Sequence, residues 1–309
     1  MKSKILKSLL AIACLLGSNR VSAYDFEVDG IYYDVVSLSD FTCSVTSGDT
    51  KYEGDIVIPA TVNYSNRTLT VVEVGNSAFS GCSNLTSITI PNTITSVGNN
   101  AFNGCTKLKH VVIEDGETVL NLGHNYYERG LFYDCPIRSV YLGRDLSYNS
   151  SQYYGLFPFY KKTELTELTI GNSVTTIGYS AFRECSGLTS VTIPNSVTTI
   201  GYCAFQNCNG LTTLYTLNTT PPSVDSSNFT NNQYMTLSVY VPQEALEAYQ
   251  SADTWKNFWN LQGFDATGIG SVKPTNENGK AVYYDLNGRR LNAPRHGLNI
   301  VNGKKVMVQ

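Results

Sequence analysis

Only three histidines occur in the 309 residues, and they are far apart in sequence: His110, His124 and His296. A general base works only within hydrogen-bond reach of a nucleophile, and no motif here supplies such a pair. Gly178-Tyr179-Ser180-Ala181-Phe182 begins like the sharp turn that presents a catalytic serine, but Phe182 stands where that turn needs glycine. Glu244 and Glu247 lie on an expected helix, where acidic residues suit the first turn. A pair of glycosidase carboxylates requires no motif, so spacing alone does not address that chemistry. The sequence has no phosphate-binding glycine loop, His-Glu-x-x-His, Cys-x-x-Cys or EF-hand spacing. The residues therefore imply no enzyme, no cofactor and no metal.

Recognition is the chemistry that the residue types do suit. Residues 121–160 hold eight of the 21 tyrosines: Tyr126, Tyr127, Tyr133, Tyr141, Tyr148, Tyr153, Tyr154 and Tyr160. Asn, Ser and Gly accompany them in Tyr148-Asn149-Ser150-Ser151-Gln152-Tyr153-Tyr154-Gly155. That mixture offers rigid aromatic area beside adaptable hydrogen bonding, as in antibody paratopes. The alternative is that these rings pack down and repair an irregular part of the core.

What must position them is a repeat. Gly75-Asn76-Ser77-Ala78-Phe79-x-x-Cys82-x-x-Leu85-x-x-Ile88-x-Ile90-Pro91 recurs 23 residues on as Phe102, Cys105, Leu108, Val111 and Ile113. It returns as Phe182, Cys185, Leu188, Val191, Ile193 and Pro194, then as Phe205, Cys208, Leu211 and Leu214. A fixed period in this range marks a leucine-rich-repeat solenoid. Apolar residues at alternate positions make Leu-x-x-Ile-x-Ile a short strand with one face inward, and Pro91 and Pro194 turn the chain. The Gly-x-Ser-Ala-Phe segment reads as a turn in which Ser180 caps a brief helical piece. Strand matches at Ile56, Ile88, Val111, Val140, Leu168, Val191, Leu214 and Val239 give eight rungs over residues 56–242.

Residues 24–55 read as an N-terminal β cap, and residues 243–267 as a helical and aromatic cap in which Trp255, Phe258 and Trp259 cover the last rung. Residues 268–279 form a linker. Residues 280–309 form a small β module, with strands flanking Asn302-Gly303. The fold class is thus a β-rich solenoid with short helical turns and a small C-terminal β module.

Residues 1–23 read as a cleaved signal peptide. Lys2, Lys4 and Lys7 give a basic start, Ile5 to Gly17 an apolar run, and Val21-Ser22-Ala23 the cleavage site. The run is too short to span a membrane, and no later stretch qualifies. The expected location is therefore secreted or on the cell surface. Removing residues 1–23 leaves 18 basic against 25 acidic residues, a formal charge of −7. Nucleic acid, which needs a clustered basic face, is not an expected partner. Cys82, Cys105, Cys185 and Cys208 share one repeat position, which suits a ladder of buried free thiols. Rungs about 5 Å apart also leave a disulfide within reach.

The unit Gly-x-Ser-Ala-Phe-x-x-Cys-x-x-Leu-x-x-Ile-x-Ile-Pro resembles the BspA-like class of leucine-rich repeat, found in surface and secreted proteins of Bacteroides-type bacteria. Tyr24-Asp25-Phe26-Glu27-Val28-Asp29-Gly30-Ile31-Tyr32-Tyr33 is similar to the opening of its members, and Val239-Tyr240-Val241-Pro242 with Trp255 and Phe258 to their closing cap. The resemblance implies adhesion to host matrix protein, host cells or other bacteria. Capture of glycans and a structural envelope role are the alternatives. The tail from Tyr284 to Lys305 resembles modules related to type IX sorting domains, with Asn299 where that pattern usually has Tyr. The expected partner-binding residues are Tyr126, Tyr127, Tyr141, Tyr148, Tyr153 and Tyr154. To these the outward strand positions add His110, Glu167 and Tyr215.

Overall fold

The computed structural model describes residues 24–125, 129–149 and 156–264, with short strands between 283 and 308. The expected signal peptide (1–23) and linker (268–279) lie outside the described residues.

The chain winds as a β-solenoid with three walls. The long wall consists of parallel strands. Gly54–Val57, Leu85–Ile90, His110–Ile113, Ser139–Leu142 and Glu167–Ile170 form one sheet. Ser190–Ile193, Thr213–Thr216, Ser238–Pro242 and Asn260–Phe264 form the next. Alternation dictates the facing: Leu85, Ile88 and Ile90 are buried while Ser87 and Thr89 point outward. Nine rungs result rather than eight, because Asn260–Phe264, expected in the cap, pairs in parallel with Ser238–Pro242.

The second wall holds two- and three-residue strands. Ser96–Val97, Leu120–Leu122 and Leu146–Ser147 continue from Arg67–Val74. Thr176–Ile177, Thr199–Ile200 and Ser223–Val224 follow. At the N-terminal end Phe26–Val28, Ile31–Ser37 and Thr42–Thr46 join this sheet, and the Tyr52 ring packs on Phe79 at 4.6 Å.

The third wall departs from the expected helical piece. Ser180 has a left-handed backbone (φ 50°), and its buried hydroxyl has no hydrogen-bond partner, so it caps nothing. Positive φ recurs at Ser77, Asn100, Ser180 and Cys203, and again four residues later at Gly81, Gly104, Glu184 and Asn207. These kinks aim alternate amides along the solenoid axis. Ser77, Phe79 and Gly81 donate to the carbonyls of Asn99, Ala101 and Asn103, and Ser180, Phe182 and Glu184 donate to those of Tyr202, Ala204 and Gln206. A helix would spend those donors internally. Here they join rung to rung, which offsets the roughly 1 kcal/mol or more that each non-glycine left-handed residue costs.

Inside, one phenylalanine per turn stacks on the next. Phe79, Phe102, Phe132, Phe159, Phe182 and Phe205 have successive ring centroids 5.1–5.7 Å apart, and all are fully buried. Each stacked pair adds about 0.5–1.5 kcal/mol to the burial of its rings. Beside them runs the thiol ladder, in which the Sγ atoms of Cys105, Cys185 and Cys208 each lie 3.1 Å from the phenylalanine carbonyl of the preceding rung. Cys135 joins the same ladder at 3.6 Å. In the Phe159 rung the position is occupied by Lys162. Its buried ammonium donates to the carbonyls of Phe132, Tyr133 and Cys135. Burial lowers the Lys162 pKa, and the three carbonyls replace the water it has lost.

The C-terminal end is closed by a 3₁₀ turn, Gln243–Ala245, leading into the helix Leu246–Ser251. A second helix, Asn231–Thr236, starts from a Thr230/Gln233 capping box that the sequence analysis missed. Trp255 is buried and donates from Nε1 to the Pro222 carbonyl at 2.8 Å, and Phe258 is buried beside it. Trp259 does not cover the rung as expected; it is 75% exposed. In the tail Tyr283–Tyr284, Arg290–Leu291, Gly297–Val301 and Lys304–Val308 form an antiparallel sheet.

All seven described cysteines are free and buried. Burial pushes the Cys43 thiol from 9.0 to about 11, and the Cys135 and Cys208 thiols to about 12. The protonated form is the one the fold holds. This stabilisation is fully present below pH 9, the ordinary thiol value, and is lost as pH rises towards 12. A thiol reagent at pH 8 should therefore react only after denaturation, and the urea midpoint should fall progressively above pH 9. Prompt reaction of several thiols in the folded protein would contradict the ladder.

Candidate partner-binding face

The outward residues of the long wall form two rows, because register is kept from strand to strand. Ser87, His110, Ser139 and Glu167 face one another across successive strands, and Thr89, Val112, Tyr141 and Thr169 lie beside them. In the second sheet the rows continue as Thr213, Ser238 and Asn260, and as Tyr215, Tyr240 and Gln262. Four residues expected from sequence to bind a partner, His110, Tyr141, Glu167 and Tyr215, thus share one face.

The side chains on this wall are held in place. His110 Nδ1 lies 2.8 Å from the Ser139 hydroxyl. The Tyr141 hydroxyl donates to the Asp115 carboxylate at 2.6 Å. Burial, then this hydrogen bond and the Asp115 charge, raise the Tyr141 pKa. Val112, Glu114, Asp115 and Tyr141 line an open hollow of about 430 Å³ on the wall's edge. Behind that edge Arg144 is fully buried, and its guanidinium donates to the Pro91 and Asn92 carbonyls. Farther along, Tyr215 and Tyr240 stack with centroids 4.9 Å apart, and Phe264 meets Tyr215 edge-on at 6.4 Å.

Tyr148 is placed elsewhere. It follows the Leu146–Ser147 strand of the second wall, half-buried against the core, and its hydroxyl donates to the Tyr179 carbonyl at 2.9 Å. Burial raises its pKa. This ring packs down, so Tyr148 is corrected from a partner-facing residue to a packing one. Tyr126, Tyr127, Tyr153 and Tyr154 lie outside the described residues. Sequence reasoning missed Tyr240, although it holds the same strand position as Tyr215. It also missed Asp115, which follows the His110–Ile113 strand at the repeat position that Asn92 holds one rung earlier.

The BspA type leucine rich repeat region matches this sequence in six copies, over residues 61–155 and 153–262. The chain belongs to the BspA-type leucine-rich repeat family. Repeats of this family typically bind proteins. Among curated proteins none matches the chain. Among solved structures, a leucine rich cell surface protein from Faecalibacterium prausnitzii is 20% identical at a TM-score of 0.40, covering 74% of this chain and 72% of its own. A leucine-rich repeat protein from Bacteroides ovatus is 16% identical at 0.36, covering 77% and 81%. A leucine-rich repeat protein of T. pallidum is 19% identical at 0.36, covering 80% and 89%. No helix among the described residues is long and apolar enough to cross a membrane. Nor do those residues hold a group of three or more His, Cys, Asp or Glu able to bind a metal.

These positions separate packing from display. Tyr148→Ser should destabilise the fold by about 2–4 kcal/mol, through a lost buried ring and an unpaired carbonyl. His110→Ala should change stability by no more than about 0.5 kcal/mol, because it lies on the outer face. Urea unfolding of both variants checks this; equal losses would contradict the assignment.

Proposed function

We propose that this protein is exported and acts as a non-enzymatic binding protein, holding a protein partner of a host surface or a neighbouring bacterium against its long parallel wall. The observation that carries this reading is the shared face: His110, Tyr141, Glu167, Tyr215 and Tyr240 lie in register on one wall. Tyrosines supply large contact area with little side-chain entropy to lose. Backing by the stacked core keeps the wall rigid, which lowers the ordering cost of association. The same wall also carries many short hydroxylated residues, whose β-propensity alone would place them there. The aromatic and acidic positions are what distinguish a recognition surface from a plain sheet.

Residues 1–23 carry the features of an export signal, and the acidic balance of the remaining chain disfavours nucleic acid. Adhesion to host matrix protein, host cell or bacterium fits an extended wall of nine rungs better than capture of a small molecule. The test is saturable binding of the purified protein to immobilised host matrix proteins, epithelial cells and bacterial cells. A triple variant, Tyr141→Ser, Tyr215→Ser and Tyr240→Ser, should weaken that binding at least about tenfold while remaining folded, the loss expected of interface anchors. Undiminished binding by the folded triple variant would remove the long wall from the account.

A further inference from the structure

A second aromatic feature lies away from the long wall, at the corner between the second wall and the turns. In the clean repeats one residue follows each repeat glycine there: Asn76, Asn99, Tyr179 and Tyr202. In the first half of the solenoid this position does structural work. Asn76 Oδ1 accepts from the Asn99 amide at 2.7 Å, and Asn99 Oδ1 accepts from the His124 amide at 3.1 Å. The fold therefore does not require a ring at this corner.

In the second half the corner is aromatic. Phe157, Tyr179 and Tyr202 stand in a row, with centroids 5.4 and 5.2 Å apart and interplanar angles of 35° and 23°. The row ends at Tyr202. Strand register pairs Thr199 with Ser223 and Ile200 with Val224, so Ser226 is the residue opposite Tyr202 on the next rung. Ser226 is small and exposed, and Tyr202 is 46% exposed. One face of the last ring is thus backed by Tyr179, and the other borders a rung with no ring to cover it.

Polar groups surround that open end. The Asp225 carboxylate is exposed, and only its Oδ1 is engaged in turn geometry, accepting from the Ser227 amide at 2.8 Å. The Tyr234 hydroxyl donates to the Ser226 carbonyl at 3.2 Å, which brings a second phenol to the same place. The Tyr202 pKa is raised chiefly by the neighbouring Cys203 thiol, with the Asp225 charge among the smaller causes. Burial and then Asp225 raise that of Tyr234. Asp225 adjoins Ser226, the residue that lies opposite Tyr202 by register and whose carbonyl accepts from the Tyr234 hydroxyl.

We propose that Tyr202, Asp225, Ser226 and Tyr234 form a sugar-binding subsite for a neutral hexopyranose unit, separate from the protein-binding wall. A pyranose has an apolar C–H face and an equatorial rim of hydroxyls. The first matches the open ring of Tyr202, whose amphipathic character suits such a contact. The second matches the free oxygen of Asp225 and the Ser226 hydroxyl, because a carboxylate accepts strongly from hydroxyl donors. The stack behind Tyr202 holds the ring in its bound orientation, so little freedom is lost on binding. Asp225 repels carboxylated or sulfated sugars, which restricts the site to neutral glycans.

Affinity electrophoresis of the full protein in lichenan, galactomannan and arabinoxylan, with polygalacturonate as the acidic control, tests this. At least one neutral polysaccharide should retard the protein, and polygalacturonate should not. Tyr202→Ala should weaken the retarding interaction about tenfold or more, the loss of a binding anchor. Tyr202→Phe should preserve it, because the ring face remains. Asp225→Asn should weaken it, and Tyr240→Ser on the long wall should leave it unchanged. An unchanged melting temperature in Tyr202→Ala would assign the loss to contact rather than folding. The proposal is overturned by free migration in all three neutral polysaccharides, or by Tyr202→Ala binding as tightly as the native chain. Retardation that depends on Tyr240 instead of Tyr202 would overturn it as well. The first two results leave the protein-binding reading of the long wall standing, whereas the third would turn that wall towards glycans.

Discussion

The stacking of one rung on the next is the constraint on which everything else depends. No turn of this solenoid can bury its own apolar side, so each phenylalanine finds its partner only on the neighbouring rung. The same spacing lets the left-handed residues of the third wall pass amide hydrogen bonds along the axis. Aromatic stacking and backbone pairing therefore reinforce a single register. A slip of one residue would turn the inward set outward on the long wall and break both ladders together.

Much of the inward side was legible because a period of 23 residues brings Phe, Cys, Leu and Ile back to the same place. The outward side was legible by subtraction: strand alternation alone put His110, Tyr141, Glu167 and Tyr215 on one face. What escaped shows where residue type stops encoding geometry. Ser77, Asn100, Ser180 and Cys203 share a left-handed conformation, yet no common side chain announces it. Their turns therefore read as helical starts. Lys162 was invisible as a member of the thiol ladder, because a charged residue enters a core only when specific carbonyls receive it. The ninth rung, Asn260–Phe264, contains glycine and no β-branched residue, so it carries no strand signal of its own. It forms because Ser238–Pro242 offers a paired edge.

The same limits apply to the sites. Tyr148 and Tyr202 are both tyrosines near irregular or exposed parts of the chain, but one packs inward and the other ends a stack in the open. Composition could not separate them. Register does, since it fixes which neighbour lies opposite each ring. Asp115 and Asp225 likewise gain meaning only from the turns that bring them beside tyrosines. The long wall and the aromatic corner are thus two products of one repeat, each arising where a single repeat position changes residue type.

The central claim is that partners meet the long wall. The most direct measurement places a photoreactive side chain at Thr169 on that wall or at Thr199 on the second wall, then irradiates each protein bound to the surface it recognises. A saturable adduct is expected from position 169, suppressed by excess unlabelled protein, and little from position 199. Adducts formed equally from both positions, or mainly from position 199, would contradict it.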